Sequence, residues 1–263
     1  MKATNILNYK TYGDANNSNL IVIHGLFGSL DNWQSHATKW SSMMHVITID
    51  LRNHGRSFHS IECDLNVLSE DIFNLLNHLN IKACTILGHS LGGKVAMQFS
   101  VNYPDFNLQN IIIVDIAPRK YFTGHQLIFD SLFKINLSTL SKRTEAEALL
   151  NDTIKDTSTI QFLLKNLYRK DDEVGYEWRF NLSSLYQNYE SLVDDIYFTK
   201  KIEIPTLLIK GAQSDYVSQE DEVRFNEYFN KLIIATVPDS GHWVHADNPL
   251  VFNAIVLNFI VDN

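Results

Sequence analysis

Apolar residues gather in short unbroken runs spaced along the chain, at 20–24, 45–50, 83–88 and 110–115, and again at 205–210 and 232–237. A run that is apolar at every position, not at alternate ones, predicts a strand buried on both faces of a parallel sheet. Each run ends in a polar or glycine-rich turn, which is where an open α/β sheet places its ligands. The residues through Tyr12 alternate instead, and predict an antiparallel edge strand. Between Pro118 and about Lys201 the strand rhythm stops. There the spacing predicts helices over 127–133, 143–150, 160–167 and 182–192, with Thr144 and Glu147 forming a capping box at the second. A last helix begins near Asn248-Pro249. Helices interrupting a strand–helix alternation predict a cap over the carboxyl edge of the sheet. The expected organisation is one domain over 1–263, with a core from 1–117 and 202–263 and a helical lid from 118–201.

Composition narrows the class. Of the 263 residues, 45% are hydrophobic and 20% charged, enough for a large core and too apolar for a disordered chain. Lys and Arg number 22 against 30 Asp and Glu, a net charge of −8. Nucleic acid and anionic membrane are therefore disfavoured as partners, because both require basic surface. The polar start of the chain lacks the apolar segment of a secretory signal, and no apolar run reaches bilayer length. Cys63 and Cys84 have no metal or redox spacing and read as two reduced thiols of a cytoplasmic protein.

The chemistry concentrates at Gly88-His89-Ser90-Leu91-Gly92, directly after a predicted strand and before a helical pattern. This is the pattern of a nucleophile elbow, in which a tight strand-to-helix turn needs small flanking residues and holds the serine at a helix N-terminus. Serine attacks only when a base removes its proton. Of the ten histidines, His242 in Asp239-Ser240-Gly241-His242-Trp243 is best placed, just past the last strand. His245 is its competitor, and His89 belongs to the elbow. The order serine, acid, histidine is the one used by the α/β-hydrolase fold.

The acid has two candidates. In most such folds it follows the penultimate strand, three residues after a glycine. In Gly211-Ala212-Gln213-Ser214-Asp215 that position is Ser214, and Asp215 is one residue late. Asp115 ends the preceding strand in Val114-Asp115-Ile116-Ala117-Pro118, and a lone carboxylate closing an apolar strand needs a partner to offset its burial. Register and burial favour Asp115, with Asp215 the alternative. The oxyanion hole is expected from the amide of Leu91 and one amide of His24-Gly25-Leu26-Phe27-Gly28, Leu26 ahead of Phe27. His24 is expected to brace that loop.

Taken in order, His24-Gly25-Leu26-Phe27-Gly28-Ser29, Asp50-Leu51-Arg52-Asn53-His54-Gly55-Arg56-Ser57, the elbow through Lys94, the Asp115 strand end, Gln161-Phe162-Leu163-Leu164-Lys165, Trp178-Arg179-Phe180-Asn181 and Gly241-His242-Trp243-Val244-His245-Ala246 resemble the YbfF-type bacterial esterases, relatives of a mitochondrial α/β-hydrolase. The resemblance spans nearly the whole chain. It implies hydrolysis of acyl esters or acyl-CoA thioesters without a cofactor or metal, and an acid after the strand ending in Asp115. Arg52 and Ser57 read as loop-stabilising. Phe27, Arg119, Trp178 and Trp243 are the candidate substrate contacts, with Arg119 and Lys120 placed to meet a CoA phosphate or else simply solvated. Phe129, Phe133, Phe162, Tyr168 and Trp178 would wall an acyl pocket or form the lid's own core. The rivals are a cofactor-free lyase or perhydrolase using the same three residues, and a small-molecule receptor on the same fold. Haloalkane and epoxide chemistry is disfavoured because the elbow carries a serine where those reactions use an aspartate.

Overall fold

A computed structural model describes residues 5–122, 124–170 and 175–263. The first half builds β1 (Tyr9–Tyr12), β2 (Asn19–Ile23), α1 (Gln34–Trp40), β3 (His45–Ile49), α2 (Leu65–His78), β4 (Ala83–His89), α3 (Leu91–Asn102) and β5 (Asn107–Val114). An insertion follows with α4 (Gln126–Phe133), α5 (Arg143–Asn151), α6 (Thr157–Leu164), β6 (Leu167–Arg169), β7 (Tyr176–Trp178), α7 (Leu182–Gln187) and α8 (Tyr189–Leu192). The chain then closes with β8 (Thr206–Gly211), α9 (Gln219–Tyr228), β9 (Leu232–Val237), α10 (Val244–Asp247) and α11 (Pro249–Asp262).

Seven strands form one sheet in the order β1-β3-β2-β4-β5-β8-β9, with β1 antiparallel to β3 and the other pairs parallel. The unbroken apolar runs are explained by burial on both faces. Ile21, Ile23, Ile47, Ile86, Ile111 and Ile113 pack with Leu68 and Ile72 of α2 and Val95 and Phe99 of α3. Their neighbours Leu20, Val22, Val46, Leu87, Ile112 and Val114 turn the other way, onto Trp33, Trp40, Phe252 and Val256. Period-two alternation persists, but each face finds its own helices.

The insertion is joined to this frame at its neck, where the Tyr121 amide donates to Val193 O (2.9 Å) and that of Ile196 to Pro118 O (2.8 Å). Its buried residues Phe129, Leu132, Leu163, Phe180 and Leu185 belong to the same apolar cluster as α2 and α3. Three local expectations are corrected here. The helix expected at 160–167 lies at Thr157–Leu164, started by the Asp156 carboxylate accepting from the Ser158 and Thr159 amides, and Leu167 enters β6. The helix expected over 182–192 breaks at Asn188, whose side chain donates to Ser184 O and Ile61 O (both 2.8 Å) and ties the helix end to the core. Thr144 lies inside α5, whose N-cap is Lys142, so Thr144 and Glu147 form no capping box. No helix among the described residues is long and apolar enough to cross a membrane.

The Asp50-to-Ser57 segment is a braced loop. The Asp50 carboxylate accepts from the amides of Leu30 (2.7 Å) and Arg56 (2.9 Å), and Ser57 Oγ donates to Asp50 O (2.5 Å). Arg52 donates to Asp71 of α2 at 2.5 and 2.8 Å and to Glu62 O at 3.0 Å, with both charged partners buried. Removing one member of a buried ion pair strands the other charge, at a cost of about 3–5 kcal/mol. Arg52→Met is therefore expected to lose about that much stability in urea or guanidinium unfolding, and a loss below about 1 kcal/mol would mean that the pair contributes no more than a surface bridge.

Candidate active site

Ser90 sits between the end of β4 and the first turn of α3, with φ 52° and ψ −118°, a conformation that costs energy for any residue with a Cβ. The flanking glycines allow it. A Cβ on Gly88 would lie 2.0 Å from Gly92 O, and one on Gly92 2.4 Å from Ile23 O. The Ser90 amide donates to Val114 O (2.9 Å), which anchors the turn to β5. Leu91 is the first residue of α3, so its amide has no acceptor within that helix.

Asp115, directly after β5, is 0% exposed and has φ 52°. Its Oδ1 accepts from the Gly211 amide (3.1 Å) at the end of β8. Its Oδ2 accepts from Ser214 Oγ, in a short hydrogen bond, and lies 2.8 Å from His242 Nδ1. Burial pushes Asp115 up to about 6 against the hydrogen bonds from Ser214 and Gly211. Burial likewise pushes His242 below the ordinary imidazole range. The pair therefore stands at neutral pH as a carboxylate beside a neutral imidazole with Nδ1 protonated and Nε2 free to accept a proton. The His242 ring stacks on Tyr216 at 3.6 Å, and its carbonyl accepts from His89 Nε2 at 2.8 Å. Asp215 is exposed and its charge acts on His242 only through space, while the carboxylate bonded to the ring is Asp115; Ser214, at the position where the acid is expected in most such folds, hydrogen-bonds the acid from β5. His245 is buried elsewhere, stacked on Trp33 at 4.4 Å.

The loop facing Ser90 is held from within. His24 Nε2 accepts from the Leu51 amide (3.1 Å), so its Nδ1 carries the proton that bonds Gly25 O (2.8 Å). The loop is also held from above: Asn166 of the insertion, buried, donates its side-chain amide to Phe27 O at 2.8 Å. Phe27 itself takes φ 60°.

Residues 19–249 match the family described as alpha/beta hydrolase fold. The chain belongs to that family. An esterase from a marine microorganism superposes with a TM-score of 0.93 at 35% identity, covering 97% of this chain and all of that one. Esterase YbfF of Escherichia coli is 32% identical over 89% of each chain. An sn-1-specific diacylglycerol lipase of Danio rerio is 33% identical over 94% of this chain and 80% of its own. The resemblance to YbfF-type esterases holds, and the relatives that carry it are named as esterases and lipases.

Two cavities meet over Ser90 and Leu26. The first, of about 350 Å³, is walled by Leu91, Lys94, Arg119, Tyr121, Leu192 and Tyr216 among others. The second, of about 230 Å³, is walled by Phe27, His89, Phe162, His242 and Trp243. Of the candidate substrate contacts, Arg119 lines the first cavity and Phe27 and Trp243 line the second. Trp178 lines neither, since it stacks on Phe180 at 5.2 Å within the insertion. Of the other insertion aromatics, Phe162 faces the second cavity, Phe129 packs under Phe27 at 5.2 Å and Phe133 is exposed. Ser214 as a donor to the acid, Asn166 as the loop's clamp, and the His125–Tyr189 hydrogen bond (2.7 Å) at the cavity wall were not foreseen. Among these only Ser214 left a trace in sequence, a hydroxyl at the position of the missing carboxylate.

Two outcomes follow for hydrolysis of a simple ester. Ser214→Ala removes a hydrogen bond to a carboxylate, worth about 1.5–3 kcal/mol, so kcat should fall about 10- to 100-fold, and an unchanged kcat would separate Ser214 from the reaction. The lowered imidazole keeps its neutral form into mildly acid solution, so the acid limb of kcat/KM should have its midpoint below pH 6.5; a midpoint above 7 would contradict the burial argument.

Proposed function

We propose that this chain hydrolyses carboxylic esters through an acyl-enzyme on Ser90. The observation that supports it best is the Asp115–His242 pair, 2.8 Å apart, whose imidazole lines the second cavity together with the elbow serine. In this reading Nε2 of His242 takes the Ser90 proton as Oγ attacks the ester carbonyl. The oxyanion is held by the amides of Leu91 and Leu26, and the protonated imidazole, stabilised by Asp115, hands its proton to the leaving alcohol. Water then attacks the acyl carbonyl as His242 takes its proton, the bond from the acyl carbon to Ser90 Oγ breaks, and His242 returns the proton to Oγ as the acid leaves. Every proton is carried by His242, so the cycle closes without a cofactor. The insertion over 118–201 serves as the lid of both cavities. The first cavity lies at the lower end of ligand-pocket volumes, which suits short or medium acyl groups.

The charge pattern at the mouth favours an oxoester over an acyl-CoA thioester. Arg119 is paired with Asp221 at 2.9 Å, Lys120 with Asp194 at 3.3 Å, and Arg224 lies 3.9 Å from Asp195. Cations already neutralised in this way offer a CoA phosphate little.

A fluorophosphonate probe tests the nucleophile: it should label the protein and fail on Ser90→Ala, while a folded wild type that resists labelling would leave a receptor on this fold as the reading. A panel of p-nitrophenyl esters and acyl-CoAs of graded length should show higher kcat/KM on the esters. Asp115→Asn should lower kcat by about 10⁴ and Asp215→Asn should do little; the reverse result would move the acid to the β8 loop.

A further inference from the structure

An ester presents two arms to Ser90, and the chemistry assigns them. The leaving oxygen receives its proton from His242, so the alcohol arm lies in the cavity walled by His242, Trp243 and Phe162. The acyl arm is left the other cavity, whose wall carries Lys94 of α3, one helical turn beyond Ser90.

Lys94 is 1% exposed. Its Nζ donates to Arg119 O (2.8 Å) and Asp194 O (2.7 Å), which occupies two of the three N–H groups of an ammonium. Among the described residues it has no carboxylate partner. The nearby acids are committed elsewhere, Asp194 to Lys120 and Asp221 to Arg119, while Asp195 accepts from the Lys120 amide. Asp215, also on the cavity wall, is exposed and screened by water. A buried cation without an anion is costly, and a methionine would fill the same space without that cost.

We propose that Lys94 is a specificity-determining residue whose remaining N–H takes an anionic oxygen on the acyl arm, so that half-esters of short dicarboxylic acids are preferred substrates. This rests on the esterase reading of Ser90. Two carbonyl oxygens and the face of the Tyr121 ring, 5.5 Å away, hold Nζ in place beside the cavity, and none of the three is an anion that would compete with the ligand. Hydrophobic walls, with Ile116, Leu192 and Val193, carry the methylenes between the two carbonyl carbons.

The test compares monomethyl glutarate and monomethyl adipate with methyl valerate and methyl hexanoate in a pH-stat, using wild type, Lys94→Met and Lys94→Arg. Wild type should favour the half-esters by about tenfold or more in kcat/KM, the size of one charge-assisted hydrogen bond. Lys94→Met should erase that ratio chiefly through KM, and Lys94→Arg should keep part of it. The ratio should also fall as the pH rises beyond about 7. Burial holds Lys94 down to about 7, against the fields of Asp195, Asp194 and Asp221 and with that of Arg119. A wild-type ratio near one, or a Lys94→Met variant that loses both ester types equally, would overturn the proposal and leave Lys94 as a brace for the insertion. Should Lys94→Met not fold, competitive inhibition of wild type by adipate but not by hexanamide decides in favour, and equal or no inhibition decides against. Absence of both fluorophosphonate labelling and hydrolysis of any ester is a different result, because it removes the Ser90 reading itself.

Discussion

The structure depends on satisfying one carboxylate. Asp115 carries its charge to the carboxyl edge of the sheet at zero exposure, where an ion without donors would cost several kcal/mol. Three donors meet it there, and each comes from a different part of the chain: the Gly211 amide closing β8, the Ser214 hydroxyl in the following loop, and His242 after β9. The geometry of those loops follows from this demand. Gly211 must lack a side chain because a Cβ would lie 2.2 Å from Gly241 O, so the loops after β8 and β9 touch backbone to backbone. That contact brings His242 to Asp115.

The same carboxylate sets the state of the imidazole. His242 is largely covered by Tyr216 and His89, which disfavours its cation, and among the described residues Asp115 is the buried carboxylate bonded to it. Burial lowers the resting basicity of the ring while the paired charge favours the imidazolium once a proton arrives. A base that is neutral at rest and stabilised when protonated is what removal of a serine proton requires. The strain at Ser90 and Asp115, both at positive φ, is carried by the surrounding sheet hydrogen bonds, Ser90 N to Val114 O and Asp115 N to Ile209 O (2.8 Å).

Most of this frame was legible in the sequence because burial on both faces leaves a strong mark. Strands such as β2 and β5 read as unbroken apolar runs, and the elbow reads through glycines that steric contact makes obligatory. The expected pairing partner of His242 followed from the missing carboxylate at Ser214. The insertion was less legible. Strands β6 and β7 have three residues each, too short for any period to show, and the break at Asn188 comes from a side chain reaching the distant Ile61 carbonyl. Trp178 was placed by residue type alone, and an indole says nothing about whether it faces a cavity or a stacked Phe180. Asn166 and Lys94 act through contacts with Phe27 O, Arg119 O and Asp194 O, far apart in sequence, and no local pattern encodes such a pairing.

Those two residues also explain why the insertion behaves as part of the site. Asn166 reaches down to the loop that faces Ser90, and Lys94 reaches up from the serine's own helix to both ends of the insertion. A displacement of the insertion would therefore pull on Phe27 O, next to the Leu26 amide, and on the first turn beyond Ser90. On the proposed reading, the cavity taken for the acyl arm and the loop taken for the oxyanion are therefore coupled through the insertion. A substitution in the neck, at Arg119 or Asp194, should thus be felt in both the fit of the acyl arm and the stabilisation of its oxyanion, because one lysine and one asparagine transmit the same movement to each.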